Sequence, residues 1–196
     1  MIWFISDTHF GHEKIIEHCK RPFAHAKEMD EALLANINLT VAKGDTLYHL
    51  GDFSFRSRFG ASFYRSQIYC RNIHFIEGNH DKEARKSNAE WPFLSYNQLL
   101  EAELKQKICC NIVLCHYAMR TWHHKEAGNW QLYGHSHGQL PDDSLTLSLD
   151  VGVDTHNFLP YSLDELVEIM NKKKEKIDAA NIENYGVFSG PKTWKA

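Results

Sequence analysis

Residues 1–9 read MIWFISDTH: an apolar run, Met1–Ile5, stops at Ser6 and passes at once into Asp7, Thr8 and His9. The run predicts a β-strand that opens at the first residue. The same design recurs four more times. TLYHL, residues 46–50, ends in Gly51-Asp52, and NIHFI, residues 72–76, leads through Glu77-Gly78 to Asn79-His80-Asp81. NIVLC, residues 111–115, ends in His116, and NWQLY, residues 129–133, ends in Gly134-His135-Ser136-His137. In open α/β sheets ligands bind in the crevice beyond the carboxyl ends of the strands. Parallel strands would therefore deliver all five clusters to one place.

Between these strands lie helical patterns, so the fold class is α/β, or layered α+β. Glu28–Ala42 carries Met29, Ala32, Leu33, Ile37 and Val41 near helical spacing, and Ala61–Tyr69 also predicts a helix. Ile73–Ile76 reads as the third strand. Tyr96–Leu104 and Lys107–Cys115 read as a pair of strands turning near Lys105–Gln106; Trp130–Tyr133 and Leu145–Val151 are two more. Ser162 followed by Glu165 predicts a capped helix running to about Lys174. Residues 1–175 are expected to form a single domain and 176–196 a loosely packed tail. The lysines of 172–176 read as a solvated helix end.

The whole chain has 196 residues, 43% of them hydrophobic and 12% aromatic, which excludes a disordered protein. A domain of that length buries about 70% of the surface its unfolded chain exposes, enough for one sizeable core. No apolar run approaches a membrane span, and Asp7 and His9 interrupt any signal-peptide core, so a soluble protein without a membrane partner is expected. With 22 Lys+Arg against 25 Asp+Glu, the net charge of −3 disfavours a nucleic-acid partner. Cys19, Cys70, Cys109, Cys110 and Cys115 lack CxxC spacing and read as thiols of a reducing cytoplasm. Thirteen histidines are the unusual number.

Imidazole and carboxylate suit divalent Mn, Fe, Zn and Ni, and no cysteine interrupts the clusters in sequence. In an extended segment, Asp7-x-His9 and His135-x-His137 would each place two ligands on one side. Asp7, His9, Asp52, Asn79, His116, His135 and His137 make seven candidate ligands, more than one ion of this kind usually takes. Two ions sharing a carboxylate would use them all. Such ions, about 3.5–4 Å apart, clamp the attacking and leaving oxygens of an in-line phosphoryl displacement.

Asp-x-His, Gly-Asp, Gly-Asn-His-Asp, a lone His after an apolar strand and Gly-His-x-His, in this order, resemble the calcineurin-like metallophosphoesterases. The resemblance runs from Met1 to about Asp154, and SDTHFGH, GDFSF and EGNHD look most like small, cap-less bacterial and phage members. It implies a β-sandwich flanked by helices with a dinuclear site at one edge. By matching motif it implies Asp7, His9 and His137 on one metal, Asn79, His116 and His135 on the other, and Asp52 bridging both. Manganese leads the expected ions, with Fe, Zn, Ni, Mg and Co compatible. His80 is then the catalytic group that stabilises phosphate charge or protonates the leaving oxygen. Where protein phosphatases carry a second Asp three residues after the bridging one, this chain has Phe55, so His80 is expected to lack a carboxylate from that place; Arg56 lies one residue beyond the place of their arginine.

The function expected is hydrolysis of small phosphomonoesters or phosphodiesters, nucleotides included, by metal-hydroxide attack. A DNA nuclease of the same family is the alternative among enzymes, disfavoured by charge and by the lack of an added DNA-binding domain. A non-enzymatic scaffold on the same fold is the alternative outside them, although every ligand position here is filled. His49 and His74 read as core histidines, and Phe53, Phe55, Tyr64 and Trp91 as core aromatics. His12 borders the cleft or begins a helix, while His123, His124 and His156 lie on loops with a substrate role open.

Overall fold

The computed structural model describes residues 1–81, 95–97, 99–103, 108 and 110–185. The turn at Lys105–Gln106, Cys109, the core reading of Trp91 and the tail beyond residue 185 lie outside the described residues. β1 (Ile2–Ile5) is followed by α1 (Glu13–His18), α2 (Ala26–Thr40), β2 (Thr46–His49), α3 (Gly60–Gln67) and β3 (Asn72–Ile76). β4 (Ser95–Asn97), β5 (Leu99–Glu103), β6 (Asn111–Cys115), β7 (Trp130–Tyr133) and β8 (Ser148–Asp150) follow, then β9 (Tyr161–Ser162) and α4 (Leu163–Tyr185).

The strands form two sheets, ordered β4-β3-β2-β1-β9 and β5-β6-β7-β8. β1 to β4 run parallel, with Ile5 opposite His49 and His49 opposite Phe75; β9 closes the edge antiparallel. In the second sheet β6, β7 and β8 are parallel and β5 is antiparallel to β6. All five cluster-bearing strands thus point their carboxyl ends the same way within their sheets. The sheets also touch there: Ser6, just past β1, bridges Gly152, just past β8.

Alternation along the strands builds two cores. Trp3, Ile5, Leu47, Ile73 and Phe75 pack against Ile15, Met29, Leu33, Ile37 and Tyr64 of the helices. Phe4, Leu50 and Ile76 point the other way and pack with Ile112, Leu114 and Leu132 of the second sheet and with Leu166 and Met170 of α4. Two mixed sheets flanked by helices are the layered α/β fold expected. No helix among the described residues is long and apolar enough to cross a membrane.

Several parts of the chain differ from the sequence reading; the strand read as Leu145–Val151, for one, is confined to Ser148–Asp150. Tyr96–Leu104 is not one strand: Asn97 pairs with Ile76 in the first sheet, and Leu99 pairs with Cys115 in the second. The helix opening after Ser162 passes Lys174 and continues to Tyr185, because Ile177 to Ile182 contains good helix formers and no breaker. The cap itself forms as expected, with Glu165 N–H donating to Ser162 Oγ (3.1 Å) and Ser162 N–H to Glu165 Oε2 (2.8 Å). Nor is Lys173 solvated: it is buried, bonds Asp142 and donates to the Ser148 carbonyl at 2.6 Å.

Candidate metal centre

Residues past the strand ends adopt a backbone that local preference opposes. Asp7 (φ 59°), His9 (51°), Asp52 (53°), His135 (66°) and His137 (49°) are all left-handed without being glycine. Each such residue costs about 1–3 kcal/mol, and such costs gather at functional sites. This corrects the extended Asp-x-His and His-x-His geometry. The side chains converge because alternate residues turn left-handed, held by bonds from Asp7 N–H to the Gly51 carbonyl (3.0 Å) and from His9 N–H to the Asp52 carbonyl (2.9 Å).

The donor atoms of Asp7, His9 and His137 lie within 4.8 Å of one another, and so do those of Asp52, His116 and His135. Asp52 Oδ2 lies between the groups, 3.4 Å from His9 Nε2 and 3.5 Å from His116 Nε2. Asn79 Oδ1 is 3.1 Å from His116 Nε2. The structure therefore brings all seven candidate ligands to one edge. Asp7 Oδ1 and His9 Nε2 are buried without a hydrogen-bond partner among the described residues. A buried polar atom left unpaired costs about 1–3 kcal/mol. A cation bound between the rings and carboxylates would satisfy both atoms, so the donor set fits divalent metal.

Outer contacts fix the rings. The Leu50 carbonyl can only accept, so His116 donates Nδ1–H to it (2.7 Å) and turns Nε2 toward Asp52. His137 likewise directs Nδ1 at Asp154 Oδ2 (2.8 Å). Such partners orient metal-binding imidazoles. Burial, helped by the Asp52 and Asp150 carboxylates and opposed by His116 and His137, pushes Asp7 up to about 6. Burial would lower His116 and His137, but the Asp52 and Asp154 carboxylates outweigh it and push them up to about 9 and about 10. Burial also opposes ionisation of Asp52, yet His116, His9 and the His80 N–H hold its carboxyl well below the usual range.

Several residues position the centre through contacts that no local sequence pattern announces. Arg21, 4% exposed, grips Asp154 with two 2.8 Å bonds and donates to the carbonyls of Asp7 (2.8 Å) and Thr8 (3.1 Å). It thus supports both Asp7 and the partner of His137. Asp81 turns away from the cleft and accepts the N–H groups of Asp52 (2.6 Å), Gly78 (2.8 Å) and Phe53 (3.0 Å). Cys19, 118 positions from His137 in sequence, nevertheless offers its Sγ within 4.8 Å of both His137 and Asp154 donors.

His80 donates its backbone N–H to Asp52 Oδ1 (2.9 Å), and its ring packs on Phe55 at 4.1 Å. Its Nε2 lies 3.8 Å from Asp52 Oδ2, beyond hydrogen-bond length, and Phe55 supplies a ring face where a carboxylate would stand. His12 faces His9, with the Nδ1 atoms 3.4 Å apart, and joins His18 in lining the 660 Å³ cavity over the centre. His49 is a satisfied core histidine, bonded to Thr8 Oγ1 at 3.0 Å. Phe53 and Tyr64 are buried core. His123 binds Glu101 (2.7 Å) with the His124 ring tilted against it at 3.9 Å, and His156 stacks on Tyr161 at 3.8 Å; none of the three lines the cavity.

Two glycines permit this packing. A Cβ on Gly134 would lie 2.1 Å from Ser6 Oγ and 2.4 Å from Asp7 Oδ2, and one on Gly78 would lie 2.2 Å from Asp52 Oδ1. Gly134→Ala is expected to destabilise the protein by about 1–3 kcal/mol and to displace Asp7. Thermal unfolding should show a Tm lower by about 5 °C, and dialysis with elemental analysis should show weaker metal retention; an unchanged Tm would count against the packing argument.

A family model described as calcineurin-like phosphoesterase matches residues 1–146. An uncharacterised protein of Methanocaldococcus jannaschii is 33% identical over 180 residues, covering 88% of this chain and 93% of that one. The gene 66 protein of Mycobacterium phage D29 is 28% identical over 200 residues, covering 89% and 98%. In fold, the crystal structure of a protein of unknown function from Aquifex aeolicus superimposes with a TM-score of 0.64 at 23% identity, covering 86% of this chain and 98% of that one.

Proposed function

The chain belongs to the calcineurin-like phosphoesterase family, and from that premise we propose that it hydrolyses small phosphomonoesters or phosphodiesters, nucleotides among them, at a centre of two divalent ions. Membership makes it a metal-dependent phosphoesterase in general terms. The observation that carries the finer reading is the place of Asp52 Oδ2, shared between His9 and His116 beside two unpartnered buried atoms. Asp7, His9 and His137 would hold one ion, Asn79, His116 and His135 the other, and Asp52 both. Once bound, the ions would activate a water as nucleophile and neutralise phosphoryl oxygens. Manganese is our first choice, with Fe, Zn, Ni, Mg and Co as alternatives for this donor set. The cytoplasmic setting expected from cysteine usage belongs to the same proposal.

The chain's own residues supply position and a proton. Left-handed Asp7, His9 and Asp52 aim their donors inward, while Asp81 ties the Asp52 turn to the Gly78 turn that carries Asn79 and His80. His80 is a third exposed, held by its backbone on Asp52 and by its ring on Phe55. From there its imidazole can hand a proton to the leaving oxygen. His80→Ala should lower kcat by about 10²–10⁴-fold while two ions stay bound. Loss of an ion in that variant would overturn the division between ligand and acid.

The test of the whole reading is a hydrolysis screen with Mn²⁺ over phosphomonoesters, phosphodiesters, cyclic nucleotides and dinucleoside polyphosphates, alongside elemental analysis. Turnover of one class with two ions bound supports it. No tightly held ion and no turnover of any class would favour a scaffold.

A further inference from the structure

A second cavity, about 610 Å³, adjoins the one over the candidate centre. Gly11 lines this cavity and His12 the other; Arg56 lines this one, while its neighbour Phe55 packs on His12 (4.7 Å) and His80 (4.1 Å). The two cavities therefore share a wall, and small-molecule sites commonly enclose about 300–1,000 Å³.

The lining has a particular chemistry. Phe59 and Phe63 are 49% and 42% exposed and stack on each other at 4.4 Å. The pair edges onto buried Tyr64, 5.2 Å from Phe63, and still offers a face to a planar ligand. The Arg58 guanidinium lies 4.5 Å over the Phe59 ring, and that of Arg56 lies 5.0 Å over Phe55, at the wall shared with the centre. Arg56 is also left-handed, with φ 52°. Lys27 is matched by Glu31 at 3.7 Å, whereas these two guanidinium groups lie on rings. Asp30, 8% exposed, presents a carboxylate that accepts the Gly11 N–H (2.9 Å) and bonds the Tyr64 hydroxyl, each oxygen having a second lone pair to offer.

Resting on the phosphoesterase reading above, we propose that this cavity is the base subsite of a nucleotide substrate. The nucleobase stacks on the face of Phe63 opposite Phe59, with Phe59 and Arg58 layered behind it, Asp30 accepts from its N–H edge, and Arg56 meets the phosphate side toward the centre. A nucleobase is planar, carries ring or amino N–H donors and is tethered to phosphate, so each of its features meets a group already in place. Simple alkyl phosphates would use the centre and leave this cavity empty.

Two measurements on the intact protein test this. The first is calorimetric titration with adenosine and guanosine, which lack phosphate. The second is kcat/KM with Mn²⁺ for their 5′-monophosphates against glycerol phosphate, in wild type and in Phe59→Ala/Phe63→Ala. Wild type should bind a nucleoside and prefer its monophosphate by about tenfold, the worth of one stacked base. The double variant should lose both, the preference falling through a raised KM for the nucleotide. Asp30→Asn, which keeps the shape and one acceptor, should weaken nucleoside binding by less than the double variant does. Equal kcat/KM for nucleotides and glycerol phosphate with no nucleoside binding would overturn the proposal, as would binding of single-stranded oligonucleotides but of no nucleoside. Failure to hydrolyse any phosphate ester would instead sink the parent reading, while the nucleoside titration would still decide the cavity.

Discussion

Asp52→Asn is expected to lower turnover at least about 10³-fold, the several kcal/mol that metal ions contribute to phosphoryl transfer. The substitution keeps what the fold needs. Asparagine tolerates the left-handed backbone at φ 53°. Its Oδ1 can still accept the His80 N–H, and its own N–H still meets Asp81. What disappears is the anion at Oδ2, which faces His9 at 3.4 Å and His116 at 3.5 Å. An amide NH₂ placed there would be a donor where an acceptor is required. Circular dichroism should stay native, elemental analysis should find fewer than two ions, and steady-state rates should collapse. Near-wild-type turnover with two ions bound would remove the bridging role.

How far the site could be read in advance follows from where its determinants lie. Each ligand directly follows an apolar strand, so a local pattern marks it. The parallel direction of β1, β2, β3, β6 and β7 then does the gathering. The chain between β4 and β5 defeated that reading, because a strand-like run looks the same in sequence whether it stays in one sheet or, as here, has Asn97 paired in one sheet and Leu99 in the other. α1 is six residues long with Ile15 alone buried, too short for helical periodicity to register. The left-handed turns left no trace either, since Asp and His accept that backbone without being diagnostic of it. Asp81 was visible within Gly-Asn-His-Asp, but its task of holding three backbone N–H groups depends on how two distant turns meet.

Arg21→Ala should give the largest loss of stability. The guanidinium and the Asp154 carboxylate are 0% and 8% exposed and 2.8 Å apart, and removing one partner of such a pair typically costs about 3–5 kcal/mol because the other charge stays buried. For a chain of this length that corresponds to a Tm lower by about 10 °C. The consequence does not stop at stability. Without Arg21 the carbonyls of Asp7 and Thr8 lose their donors, and Asp154 loses the fork that orients it toward His137 Nδ1. Two residues of one ligand group, Asp7 and His137, are then released together, and affinity for one ion should fall about 10–100-fold, as for other outer partners of metal-binding histidines. The second group is held by Leu50 and Asn79 instead, so its ion should be retained. Arg21→Lys preserves the charge without the fork and should recover part of the Tm but little of the affinity. Metal titration at a temperature where every variant remains folded separates the two effects. Wild-type affinity for both ions in a folded but destabilised Arg21→Ala protein would confine Arg21 to a purely structural part.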